Sequence, residues 1–175
     1  MRALLREATA VSRHVVLGAL ACSTAAFALA QSAQLPNRRD VLEGITAAGQ
    51  PSASALEAAA KSGYKSVIDL RAPSEDRGFD EKAVVEGLGM TYMSLPVEGP
   101  GGVSYANAGK LDKLLAELPK PILLHCSSGN RVGALIALRA SAGGMDDGAA
   151  LELGVANGLG SLKSTVEQKL ATGHD

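Results

Sequence analysis

The sequence predicts an α/β domain: a central, mostly parallel sheet flanked by helices. Three observations carry that expectation. Short β-rich runs such as Ser66-Val67-Ile68-Asp69-Leu70-Arg71 alternate with helical patterns along most of the chain. One run, Pro121-Ile122-Leu123-Leu124, is almost wholly apolar, as a strand covered on both faces must be. Soon after it, the apolar stretch Ala134 to Leu138 reads as a buried helix. His125 to Gly133 is then a turn between a central strand and a buried helix. In such sheets ligands bind beyond the carboxyl ends of the strands, where this turn lies.

The elements are justified in chain order. Residues 1–30 carry Arg2, Arg6 and Arg13, then a nearly apolar run from Val15, then Ala28-Leu29-Ala30. This is the pattern of a cleavable secretory signal peptide, with a periplasmic or secreted mature protein as the consequence. The apolar run is shorter than the ~20 residues of a membrane span, so no membrane association is expected after cleavage. Residues 31–41, with Pro36 and paired Arg38-Arg39, read as a surface arm, and residues 42–172 as one domain.

Ile45 to Pro51 reads as a short strand ending in a turn. Ser54 and Glu57 form a capping-box pattern opening an Ala-rich helix that stops at Gly63. After the strand at 66–71 comes a charged loop, 72–80, then a short helix from Glu81 to Leu88. Met90 to Leu95 is the next strand, ended by Pro96, and 97–104 a Gly/Pro loop. Leu111, Leu114, Leu115 and Leu118 fall at helical spacing, which predicts an amphipathic helix over 106–118. Asp146 and Ser161 are expected to cap two last helices, 147–157 and 162–171.

Charge and cysteine content narrow the function classes. Taking Arg2, Arg6, Arg13 and Glu7 from 17 basic and 18 acidic residues leaves a net charge of −3. With no basic cluster and few aromatics, nucleic acid is not an expected partner. Cys22 leaves with the signal, so Cys126 is the one cysteine of the mature chain. It can form no internal disulfide, and a leftover thiol in an oxidising compartment is flagged as reactive. Only His125 and His174 remain besides, too few to build a His/Cys metal site.

The turn itself is His125-Cys126-Ser127-Ser128-Gly129-Asn130-Arg131-Val132-Gly133. Successive backbone N–H groups at a helix N-terminus form an anion cradle. Arg131 adds a planar fork of donors matched to a phosphate or another oxyanion. A thiol facing that positive potential is expected to exist partly as thiolate, the attacking form. Ser127 or Ser128 as a serine nucleophile requires a free imidazole nearby, and His125 sits on the same strand, so that reading is set aside.

Val67-Ile68-Asp69-Leu70-Arg71, Pro73 and Glu75, Pro96-Val97 and the turn running into Val132-Gly133-Ala134 together resemble the dual-specificity/protein-tyrosine phosphatase superfamily. Gly44 to Pro51 is similar to its small bacterial branch, the beta-lactamase-hydrolase-like phosphatases. The resemblance implies hydrolysis of phosphate monoesters, of a phosphorylated protein or a small phosphate ester, with no cofactor. It implies Cys126 as nucleophile, Arg131 with the N–H groups of Ser127, Ser128, Gly129 and Asn130 as the phosphoryl cradle, and His125 as support for the thiolate. It also carries departures. Four residues separate cysteine and arginine where the superfamily has five, as the small branch allows. Val132 stands where Ser or Thr is usual. The loop after Pro96-Val97 offers Glu98 where the family has an aspartate general acid, and Asp69 is the competing candidate.

Two other readings of the turn remain open. A rhodanese-like sulfurtransferase uses the same four-residue spacing, would carry a persulfide on Cys126 and needs no general acid. A non-catalytic module would keep the cradle to bind phosphate or protein without turnover.

Overall fold

The computed structural model describes residues 34–173 of the chain. The signal-peptide expectation for 1–30 lies outside them. Five strands form one sheet in the order β1 (Arg39–Leu42), β2 (Ile45–Ala48), β5 (Ile122–His125), β3 (Ser66–Asp69), β4 (Thr91–Ser94). β2, β5, β3 and β4 are parallel and β1 is antiparallel to β2. The helices are α1 (Ala53–Lys61), α2 (Glu81–Gly87), α3 (Tyr105–Glu117), α4 (Asn130–Ala142), α5 (Asp147–Ala156) and α6 (Lys163–Thr172). A 3₁₀ turn spans Pro100–Gly102.

Strand alternation divides the core into two layers. Ile45, Ala47, Ile68, Ile122 and Leu124 pack with Leu111 and Leu115 of α3 and with Leu135 and Leu138 of α4. Val67, Leu123 and Ala48 pack on the opposite face with Leu56 of α1 and Val85 of α2. β5 is buried at every position, which is why its sequence is apolar without alternation. Truncating one of these leucines to alanine costs about 2–5 kcal/mol, so each layer is a substantial share of the fold's stability.

The carboxyl end of β5 is positioned by a close helix crossing. A Cβ on Gly133 of α4 would meet the backbone N of Leu159 at 2.3 Å and the backbone O of Gly154 in α5 at 2.6 Å. Only the missing side chains let the start of α4 settle against this segment.

The structure corrects several expected elements. Residues 39–41, read as part of a surface arm, belong to the edge strand β1. Its side chains are largely exposed, so the pairing rests on backbone hydrogen bonds that leave no hydrophobic pattern. The first helix starts two residues before the expected capping box. Ser52 is its cap and accepts from the Ala55 N–H at 3.1 Å, while Ser54 lies beside the Ser52 hydroxyl. Starting there places Ala55, Leu56 and Ala59 on the buried side. Asp146 caps α5 as expected, but Ser161 does not cap α6, which follows Leu162.

Candidate active site

The connection between β5 and α4 is shorter than its sequence indicates. Only Cys126 to Gly129 lie between the two elements, and α4 begins at Asn130. Gly129 adopts a left-handed conformation, φ 93°, which turns the chain directly into the helix. Asn130 and Arg131 therefore belong to the first helical turn. They interrupt the apolar periodicity, so the pattern starts to look helical only at Val132. The first-turn N–H groups have no intrahelical acceptor and lie at the positive end of the helix. The Gly129 N–H donates to Cys126 Sγ at 3.1 Å. Cys126 is fully buried in its packing, with its sulfur on this backbone donor.

The loop is tied on both sides. Ser127 O accepts from the Gln50 N–H at 3.1 Å, and Ser128 O accepts from Asn37 Nδ2 at 3.2 Å. The described tie of Ser128 thus runs through its carbonyl. Asn130 Oδ1 accepts from the Gly160 N–H at 2.8 Å, and its Nδ2 donates to Ser161 Oγ at 2.7 Å. Ser161 is therefore an anchor for the start of α4, the role that replaces the cap expected of it.

Arg131 is held from the far side of the loop by Glu75. The pair is bidentate, with Nη2 donating to Oε2 at 2.8 Å and Nη1 donating to Oε1. Nη2 also donates to Ser127 Oγ at 2.8 Å, and Nη1 to the Val97 carbonyl at 3.3 Å. Glu75 Oε1 further accepts from the Ala72 N–H at 2.7 Å. The Arg131 hydrogen bond, against the opposing effect of burial and with the help of Ala72, pulls the Glu75 carboxyl down to about 2. Arg131 is reciprocally held above its ordinary value, first by Glu75 and then, against burial, by Cys126. The guanidinium is thus a fixed positive charge beside the sulfur. Glu75 entered the sequence reading only as a landmark of resemblance; no spacing within the chain points from residue 75 to residue 131.

Asp69 does not fit the general-acid role considered for it. It is fully buried, and its Oδ1 accepts from the Arg71 N–H at 2.8 Å. Oδ2 accepts from Arg77 Nε at 2.9 Å and from the Tyr92 hydroxyl at 3.0 Å. A carboxylate with both oxygens so engaged organises the 71–78 loop and leaves neither oxygen for a leaving group. Burial first, then Asp69, pushes the Tyr92 phenol above its ordinary value. Burial works against the Arg77 charge, but Asp69 outweighs it and raises that group too. Arg71 is 3% exposed and donates to the Asp76 carbonyl at 2.6 Å, so it too serves the loop. Glu98 is exposed and directly follows Val97, whose carbonyl touches Arg131.

His125 faces away from Cys126. It is in phase with Leu123 and so points to the α1/α2 face, where its Nε2 lies 2.7 Å from Glu81 Oε1. Its Nδ1 is 3.4 Å from the Cys126 carbonyl. Glu81, His125 and Asp69 have ligand-type atoms within 4.8 Å of one another. The Asp69 oxygens are already taken by Arg71, Arg77 and Tyr92, and Glu81 lies 2.7 Å from His125 as its ion-pair partner. Within it, Asp69 is bonded to its own loop and Glu81 is ion-paired with His125. Beside the loop, Gln50, Pro51, Ser52, Arg77 and Phe79 line an open hollow of about 410 Å³.

The family described as DSP-PTPase phosphatase fused to NAD+ kinase matches residues 30–168. The chain belongs to this phosphatase family. It is 32% identical over 100 residues to a beta-lactamase hydrolase-like protein of Agrobacterium fabrum, a match covering 55% of this chain and 23% of that protein. The chain thus spans about a quarter of the length of the curated relatives it matches. A putative phosphatase from Neisseria meningitidis shares the fold with a TM-score of 0.63 and 21% identity, over 78% of this chain and 97% of that one. TpbA of P. aeruginosa, solved in complex with pTyr, superposes with a TM-score of 0.57 and 20% identity, over 79% and 85% of the two chains. The phosphatase family and the mostly parallel α/β fold agree with the resemblance seen in the sequence.

Proposed function

We propose that this phosphatase hydrolyses phosphate monoesters through a cysteinyl-phosphate intermediate on Cys126. The observation that carries the reading is the Cys126 sulfur accepting the Gly129 N–H beside an Arg131 guanidinium clamped by Glu75. Arg131 and the first-turn N–H groups of α4 oppose the charge that develops on the phosphoryl oxygens. The thiolate attacks phosphorus, the bond from phosphorus to the ester oxygen breaks, and the leaving oxygen takes a proton. Water then attacks phosphorus, the P–S bond breaks, and phosphate leaves with the thiolate restored. Glu98 is the carboxyl we assign to the leaving-group proton, since Asp69 is fully engaged below the loop.

The ester is proposed to be a phosphotyrosine or a small aryl phosphate. TpbA holds pTyr on a similar fold, and half-buried Phe79 lines the hollow beside the loop. We also propose export, on the signal-peptide pattern of residues 1–30; the mass of the mature protein from its native host tests it. Among the described residues no helix is long and apolar enough to cross a membrane.

The test of function is turnover of p-nitrophenyl phosphate by the reduced chain beside Cys126→Ser, with acid-quenched trapping of phosphate on Cys126. This ester has a good leaving group, so a weak general acid hides little of the rate. Turnover that disappears in the variant is the expected result. No turnover above the variant overturns the reading; a trapped persulfide would then show sulfur transfer, and phosphate binding alone a non-catalytic cradle.

A further inference from the structure

A charged pair lies sealed beneath the loop. Glu81, the first residue of α2, is 1% exposed and His125 is fully buried. Glu81 Oε1 approaches His125 Nε2 at 2.7 Å. Both Glu81 oxygens and His125 Nε2 are otherwise without a hydrogen-bond partner, so the pair has only itself. Two lone pairs at that separation repel, so one proton must lie between the two atoms. The other ring nitrogen, Nδ1, faces the Cys126 carbonyl, which can only accept. Nδ1 therefore also carries a proton. The imidazole is then cationic when the shared proton rests on Nε2, and the pair is neutral as a whole, which is the least costly way to bury it.

The surroundings assign the charges the same way. Asp69 of β3 is neutralised by Arg77, whose Nε donates to it at 2.9 Å, and Tyr92 of β4 donates its hydroxyl to Asp69. Arg131 of α4 is matched by Glu75 on the other side of the loop. These groups leave Glu81 and His125 as each other's counter-charge. β2, which pairs with β5 on the other flank, places Ala48 opposite His125 and brings no charge.

We propose that Glu81 is a positioning residue for Cys126, acting through His125: the proton it shares with Nε2 holds the imidazole in its Nδ1–H, electropositive form against the Cys126 carbonyl, and so favours the thiolate. The proposal rests on Cys126 as the nucleophile, not on which group it attacks. Without the Glu81 carboxylate, Nε2 loses the group that faces it at 2.7 Å, nothing fixes the ring against the Cys126 carbonyl, and that support is lost.

The test is the pH dependence of Cys126 alkylation by iodoacetamide in the full chain, for wild type, Glu81→Gln, His125→Gln and the double variant. This readout needs no phosphatase turnover, so its failure is separate from failure of the p-nitrophenyl phosphate assay. Glu81→Gln is expected to move the alkylation midpoint up by about one pH unit, roughly a tenfold slower reaction on the acid side. The double variant is expected to move no further than His125→Gln alone. A midpoint unchanged in folded Glu81→Gln, or single effects that add, overturns the proposal. If Glu81→Gln does not fold, ¹⁵N shifts of the His125 ring in the wild type decide. Protons on Nδ1 and towards Nε2 throughout pH 5–9 support the proposal, and a bare Nδ1 overturns it.

Discussion

Two acid–base pairs lie on opposite sides of the same four-residue loop, and they differ in kind. Above it, Glu75 and Arg131 are partly exposed, bidentate, and completed by Ala72, Val97 and Ser127. Below it, Glu81 and His125 are sealed from solvent, and the Glu81 carboxylate faces only His125 Nε2. An arginine never gives up its proton under these conditions, so the upper pair is a fixed charge that holds geometry. The lower pair is buried, so each member is the other's counter-charge. The difference separates two tasks, a rigid clamp on Arg131 and, on the proposal above, a positioned imidazole beside Cys126.

Breaking the upper pair gives the largest effect. Arg131→Ala removes the clamp and leaves the Glu75 carboxylate without its main partner. Its kcat/KM on p-nitrophenyl phosphate is expected to fall about 10²–10³-fold. A fall of less than tenfold would show that the loop N–H groups alone carry the oxyanion.

Glu75→Gln keeps the shape of the upper pair and removes its charge, which tests whether that pair is fixed. The Glu75 carboxyl is pulled from 4.5 to about 2 in the folded chain. A carboxyl depressed on folding stabilises the fold above its unfolded value, and that stability is lost as pH falls from about 4.5 towards 2. Denaturant unfolding of the wild type is thus expected to lose on the order of 2–3 kcal/mol across this window through Glu75. Glu75→Gln should lack that part of the slope. Equal slopes in the two proteins would contradict a charged upper pair. The smallest change sharpens the comparison at the start of α4. Asn130→Ala removes the ties to Gly160 and Ser161 while sparing both pairs. It is expected to lower stability by about 1–2 kcal/mol, with turnover changed only a few-fold.

How much of this was legible in the chain differs by residue. Ile122 to Leu124 announced a doubly covered strand, and Leu111 and Leu115 one face of a helix, because burial leaves a period in the sequence. β1 left no such trace, since its side chains are exposed and its pairing is through backbone. The meeting of Cys126, Gly129 and Arg131 was legible because they are near neighbours in the chain. Glu75 and Glu81 were not, because each meets its partner across the sheet end, 56 residues from Arg131 in one case. Asp69 looked like a candidate acid by position and is a loop organiser by contact, since Arg71, Arg77 and Tyr92 occupy both of its oxygens.

The sequence by itself determined the α/β class, the place of the Cys126 loop at the end of a central strand, and the cysteine and arginine beside each other there. These follow from local periodicity and from residues next to one another in the chain. Only the tertiary structure decided which carboxylate clamps Arg131, which one meets His125, and that Asp69 serves neither. Partner choice among buried charges depends on which side chains the parallel strands and their crossover helices bring together, and no local pattern records that.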